Sequence, residues 1–300
     1  MIKQFLRIAS CAVLLCFGST AYAFWSLNWN PVVTTSLGPL VGYDDGKVRT
    51  FLGVPYAEPP LGDLRFANPV AKQAWWWPRS ALVQSPACLQ GDGLSTSIIT
   101  SEDCLYLNIW TPNTPGPHPV MVWIHGGGFN IGEAAMPAYN GARLAREHNV
   151  VVVSMNYRLG FLGFLSTPGL SSETAYGASG NQGLYDQVEA LRFVKREISH
   201  FGGDADNITV FGESAGSIST CLLLSSPLTD GLIHKAIMQS GGCGWREAMS
   251  PAEAESSSLT FLREVLACDG PDPLACARAK STLELRGKMS ATMANGMAYQ

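Results

Sequence analysis

A chain of 300 residues, 46% hydrophobic and 15% charged, can bury a large core and fits either two average domains or one large α/β fold. Its net charge of −4 leaves no basic footprint, so nucleic acid is not an expected partner. Beyond the N-terminus no apolar run is long enough to predict a transmembrane segment.

The chain opens with a targeting pattern. Lys3 and Arg7 form a positive region, residues 8–18 a short apolar core, and Ala21-Tyr22-Ala23 a small-residue cleavage site. Residues 1–23 are therefore expected to be a signal peptide cut after Ala23, giving a secreted or periplasmic protein. Residues 24–300 are expected to form one domain. Residues 30–66 read as short strands and turns, and 53–62 (GVPYAEPPLG) is too rich in turn formers for a helix. Residues 105–110 alternate like a strand, and 111–117 read as a proline-containing connection. Strands and helices then alternate: strand 119–124, helix near 134–147, strand 150–156, helix 184–200, strand 208–212, helix 215–225 and strand 235–239. Leu184, Val188, Leu191, Val194, Ile198 and Phe201 recur at three and four, one apolar helix face. Such alternation predicts a mostly parallel central sheet covered by helices on both faces. Residues 247–300 read as amphipathic helices around a cysteine-closed loop.

Two strand ends carry chemistry. Residues 208–211 are a short apolar run, followed by Gly212-x-Ser214-x-Gly216 and a helix-forming stretch. This is the pattern of a nucleophile elbow, a turn so tight that glycine must flank the serine. Upstream, the apolar run 119–124 ends in His125-Gly126-Gly127-Gly128-Phe129. Three glycines let backbone N–H groups face one point without Cβ interference, as a developing oxyanion requires. The plainer reading is a flexible turn. His125 is expected to brace this loop rather than transfer protons.

An exported chain favours disulfides. Of the six cysteines after the signal, the spacing suggests the pairs Cys88–Cys104 and Cys268–Cys276. Cys221, in an apolar Cys-Leu-Leu-Leu run, is expected to be a buried thiol, and Cys243 has no assigned role. The Trp75-Trp76-Trp77 cluster is compatible with core packing, an exposed edge, or a sugar or membrane platform.

Six markers in order resemble the type-B carboxylesterases, which include the cholinesterases, on the α/β-hydrolase fold. They are 53–66 (GVPYAEPPLGDLRF), 101–110 (SEDCLYLNIW), 125–129 (HGGGF), 156–160 (NYRLG), 180–187 (GNQGLYDQ) and 201–217 (FGGDADNITVFGESAGS). The resemblance implies Ser214 as nucleophile and an oxyanion hole from the N–H groups of Gly127, Gly128 and Ala215. It implies the same two disulfides and ion pairs Arg65–Glu102 and Arg158–Asp186. Glu213 resembles a family carboxylate that acts on the site's electrostatics from behind the reacting groups; simple turn geometry is the other reading. The substrate implied is a small ester, with no cofactor and no metal.

The fold's catalytic order is Ser, acid, His. After Ser214 the only histidine is His234, with Asp230 before it. His234 precedes a strand and so belongs to the opposite end of the sheet from Ser214. The family's acid and histidine are expected beyond residue 300, the fold being truncated before its last strands. The 300 residues alone are then expected to be inactive and prone to aggregate. Between Cys88 and Cys104 there is no aromatic residue to hold a quaternary ammonium, so neutral short- or medium-chain esters are expected over choline esters. Acyl transfer to an alcohol, a non-catalytic binding or adhesion member of the fold, and an inactive truncated product are the alternatives.

Overall fold

The computed structural model describes residues 30–91, 99–244 and 249–294. The expected signal peptide, 1–23, lies outside the described residues. Among the described residues the strands are β1 (Val32–Thr34), β2 (Pro39–Val41), β3 (Tyr43–Asp44), β4 (Val48–Pro55), β5 (Arg79–Ser80), β6 (Ala87–Cys88), β7 (Thr100–Ser101), β8 (Tyr106–Pro112), β9 (His118–Ile124), β10 (Val151–Met155), β11 (Gly203–Glu213) and β12 (Lys235–Gln239). Helices are α1 (Ala142–His148), α2 (Gly160–Phe164), α3 (Pro168–Ser172), α4 (Gln182–Glu197), α5 (Ala215–Leu224), α6 (Pro251–Glu264), α7 (Pro273–Ala279) and α8 (Thr282–Ala294).

The central sheet has seven strands in the order β12-β11-β9-β10-β8-β4-β3. Parallel pairing holds for β12, β11, β9 and β10, the half with crossover helices. The β10–β8, β8–β4 and β4–β3 pairs are antiparallel, so the sheet is mixed. The short loop between β8 and β9 and the turn between β3 and β4 cannot hold crossovers, and chain reversal follows.

Side-chain alternation assigns the faces. Val151 and Val153 share a core with Val120, Val122, Val210 and the Val188, Leu191 and Val194 face of α4. Val152 points the other way, packing with Trp110, Val48 and Ala145 of α1. Helices thus cover both faces. Of the six positions expected on the α4 stripe and its extension, all but Leu184 are buried. Phe201 meets Phe51 edge-to-face at 5.1 Å.

The segment 134–141 is not the helix expected there. It holds one 3-10 turn, Pro137–Tyr139, and α1 begins only at Ala142. Pro137 lacks the N–H that a continuous helix would need, and the Asn140 side chain caps the N–H of Ala142 at 2.9 Å. Strand β8 runs on to Pro112, because Thr111 and Pro112 pair with Arg49 and Val48 of β4.

Two buried ion pairs bind distant segments. The Arg65 guanidinium donates to both Glu102 oxygens at 2.6 and 2.7 Å and to the carbonyls of Arg278 and Lys280 at 2.7 and 2.6 Å, tying the end of α7 to the loops that carry Arg65 and Glu102. Arg158 donates to Asp186 from Nε and Nη2 at 2.8 and 2.7 Å, and its backbone N–H adds a third bond at 3.0 Å.

Cys88–Cys104 and Cys268–Cys276 are disulfides, and so is Cys221–Cys243. The last corrects the expectation of a free thiol at Cys221. Ser217 and Cys221 lie one turn apart on the same face of α5; the Ser217 hydroxyl bonds the Gly241 carbonyl at 2.7 Å, which brings the segment carrying Cys243 across that face. Trp75 is half-buried and donates to the Pro39 carbonyl at 3.0 Å, whereas Trp76 and Trp77 are exposed.

Candidate active site

Strand order reverses about β9: β10 lies on one side, reached through α1, and β11 on the other, reached through α4 on the opposite face. In open α/β sheets such a switch point leaves a crevice beyond the strands' C-terminal ends. Both motifs occupy it. The His125–Phe129 turn leaves β9, and Ser214 leaves β11.

Ser214 stands between strand and helix with φ +53° and ψ −120°, a backbone state that L residues avoid. Its neighbours hold it there. The Ser214 N–H donates to the Gln239 carbonyl at the end of β12, at 2.8 Å, and its carbonyl accepts from Ser217 and Ile218 at 2.9 and 3.0 Å. The flanking glycines answer to crowding. A Cβ on Gly216 would lie 2.1 Å from the Ile124 carbonyl oxygen, and one on Gly212 would lie 2.4 Å from Gly216. The side chain of Ser214, half-buried, has no hydrogen-bond partner among the described residues.

The glycine turn packs directly on this elbow. A Cβ on Gly126 would be 2.7 Å from the Glu213 carbonyl and 3.1 Å from the Ser214 Cβ. Gly127 and Gly128 have φ of +108° and +59°. Asn130 and Ile131 both donate to the Gly127 carbonyl at 3.1 Å, and the Asn130 side chain donates to the Gly128 carbonyl at 2.7 Å. The carbonyls are thus turned into the loop. The N–H groups of Gly127, Gly128 and Ala215 have no hydrogen-bond partner among the described residues.

His125 is buried beneath the turn. Its Nδ1 lies 2.8 Å from the Gly126 carbonyl, which can only accept, so Nδ1 carries the proton. Nε2 is buried with no partner among the described residues. The ring stacks on Tyr157 at 4.4 Å, and the Tyr157 hydroxyl donates to the His125 carbonyl at 2.9 Å. Burial pushes the imidazole down to about 4, against the partial support of the Gly126 bond. The ring is neutral at ordinary pH and braces the turn.

Glu213 is half-buried between the elbow and the turn, with its carboxylate beside Gly126. Tyr139 packs on Trp123 at 5.0 Å; its hydroxyl is raised by burial and then by the Glu213 charge. His234 is far from this crevice. Its Nδ1 accepts from the Ile208 N–H at 3.1 Å, near the N-terminal part of β11. Among the described residues no group of three or more His, Cys, Asp or Glu could hold a metal.

A switch-point crevice with an elbow on one strand and a glycine turn on the next is the architecture of the α/β hydrolases. The solved structures agree. A para-nitrobenzyl esterase matches with a TM-score of 0.77 at 40% identity, covering 87% of this chain and 53% of its own, and a thermophilic one with 0.80 at 38%, covering 89% and 55%. The model of the carboxylesterase family matches residues 29–299, and the chain belongs to that family. Similar curated relatives include a fumonisin B1 esterase of Sphingopyxis macrogoltabida (45% identical, covering 78% of this chain and 44% of the relative). The para-nitrobenzyl esterase of Bacillus subtilis is 44% identical (77% and 47%), and the cholinesterase of Mus musculus 41% (85% and 44%). The chain spans about half the length of the curated relatives it matches.

Proposed function

We propose that this chain carries the nucleophile and oxyanion hole of an exported carboxylic-ester hydrolase. Ser214 Oγ attacks the ester carbonyl as a base takes its proton; the carbonyl oxygen, becoming negative, takes hydrogen bonds from the N–H groups of Gly127, Gly128 and Ala215, and collapse of this intermediate breaks the ester C–O bond, expels the alcohol with that proton and leaves the acyl-enzyme. Water then attacks the acyl-serine and releases the acid. One such donor typically contributes about 10²–10³ in rate. The observation that carries this reading is the φ +53° serine backed directly by the Gly126 turn, with three N–H groups unused beside it.

A neutral serine hydroxyl needs a base. None of the five histidines bonds Ser214 among the described residues, and His125 is held by the Gly126 carbonyl. We assign the base and its orienting acid to residues outside this sequence. Three disulfides support an oxidising compartment, secreted or periplasmic. The substrate is a neutral acyl ester, with no cofactor and no metal.

Fluorophosphonate labelling of the longer protein that supplies the base, read by peptide mass, tests this. The probe should modify the Ser214 peptide and leave Ser214→Ala untouched. Hydrolysis of p-nitrophenyl butyrate by Ser214→Ala at the wild-type rate would refute it. In the same assay a neutral ester should show a higher kcat/KM than acetylcholine.

A further inference from the structure

The glycine turn is clamped from outside by a residue that neither motif contains. Strand β6 is fixed by the Cys88–Cys104 disulfide and by its pairing with Thr100 and Ser101 of β7. Gln90 follows two residues after Cys88 and is buried. Its carboxamide reaches a residue 42 positions away: Nε2 donates to the Gly132 carbonyl at 2.8 Å, and Oε1 accepts from the Gly132 N–H at 3.0 Å. The second Nε2 hydrogen goes to the Cys88 carbonyl at 3.0 Å. Both donors of the amide are used, which fixes its orientation.

Gly132 is the exit of the turn that holds Gly127 and Gly128. At φ +119° a Cβ there would lie 2.4 Å from His125 Nδ1 and 2.7 Å from the Gly126 carbonyl oxygen. A Cβ on Gly127 would lie 2.1 Å from the Ile131 carbonyl oxygen. The two ends of the turn are thus in contact, and a displacement of Gly132 must displace the glycines.

We propose that Gln90 is a positioning residue for ester hydrolysis: its two bonds to Gly132 hold the turn so that the Gly127 and Gly128 N–H groups meet the transition-state oxyanion. The proposal rests on the oxyanion role given above. The clamp acts on charge that develops after binding, so it belongs to kcat rather than KM. A misplacement on the order of 1 Å costs about 10²-fold in rate.

Gln90→Leu removes both bonds at similar length. In the longer protein that supplies the base, its kcat for p-nitrophenyl butyrate should fall roughly 10- to 100-fold with KM within about twofold, and the fluorophosphonate labelling rate should fall in parallel. Hydrogen exchange supplies a readout that needs no activity. Amides of Asn130, Ile131 and Gly132 should exchange at least about tenfold faster in the variant, while those of β9, β10 and β11 keep their protection. Unchanged exchange in the turn, an unchanged kcat, or a loss of protection spread evenly over the sheet would each overturn the proposal. Should Gln90→Leu not fold, Gln90→Asn, which withdraws the carboxamide by one methylene, carries the same test. If Ser214→Ala hydrolyses like wild type, the reading of the site fails, and exchange still decides whether Gln90 holds the turn.

Discussion

His125 makes this fold sensitive to acid in a way that can be isolated. Burial pushes its imidazole from 6.5 down to about 4. The folded state therefore refuses a proton that the unfolded chain accepts as soon as pH drops below the ordinary imidazole value. The sign follows: stability is complete above about pH 6.5, is lost as pH falls from there toward 4, and levels off once the folded state also binds the proton. One pKa unit is worth about 1.4 kcal/mol, so the whole effect is about 3 kcal/mol. The perturbation is His125→Asn, which keeps a donor for the Gly126 carbonyl and removes the titrating ring. Urea unfolding followed by circular dichroism at about pH 7 and about pH 4.5 measures both proteins. Other carboxylates held low, such as Asp45 and Glu58, lose stability in the same direction, but they do so equally in both and cancel. The wild type should lose about 2–3 kcal/mol more than the variant over that interval. Equal losses would mean that the ring protonates at its ordinary value inside the folded protein, and its burial beneath the turn would not be what sets its charge.

Asp186 accepts three bonds from Arg158 with neither side chain appreciably exposed. Asp186→Ala should cost about 3–5 kcal/mol by stranding the guanidinium, whereas Arg158→Met with Asp186→Leu should recover part of the loss. Thermal unfolding compares them; a single variant within about 1 kcal/mol of wild type would refute the pairing argument. Among the described residues, strand β12 lies at one end of the sheet with every residue exposed, Ile237 and Met238 included. An open edge of this kind templates pairing with another chain, and edge lysines suppress it. Sedimentation of the 300 residues expressed alone should show concentration-dependent association that Ile237→Lys with Met238→Lys reduces; equal association of both proteins would refute it.

What could be read from the sequence was whatever repeats or is steric. The α4 stripe, the strand 235–239 and the glycines of the elbow each follow from a period or from the absence of a Cβ, and the structure gives Gly212 and Gly216 a clash to avoid. The antiparallel half was less legible, because β4 and β8 are as apolar on their buried faces as parallel strands are, and direction is set by loop length alone. The Cys221–Cys243 bond had a signal that hydrophobic pattern concealed. An apolar run around Cys221 suggested a packed thiol, whereas its place one turn beyond Ser217 on α5 depends on knowing that β12 returns past the elbow.

Gln90 had no signal of that kind. Its partners are the N–H and C=O of a glycine, which every residue carries, so nothing at position 132 advertises the pairing. The same holds for Tyr56, whose hydroxyl donates to the Asn156 carbonyl at 2.7 Å. Polar side chains that grip backbone far away in sequence have no periodicity and no complementary residue type to betray them. In this fold they sit beneath and beside the loops that deliver chemistry. The reason is physical: the strands are held by their own ladders, but a turn with positive φ at successive residues satisfies only part of its backbone itself, as at the Gly127 carbonyl, and side chains such as Asn130 and Gln90 take up other groups. The segments most in need of such clamps are those whose own backbone bonds leave N–H groups unpaired, as those of Gly127 and Gly128 are among the described residues.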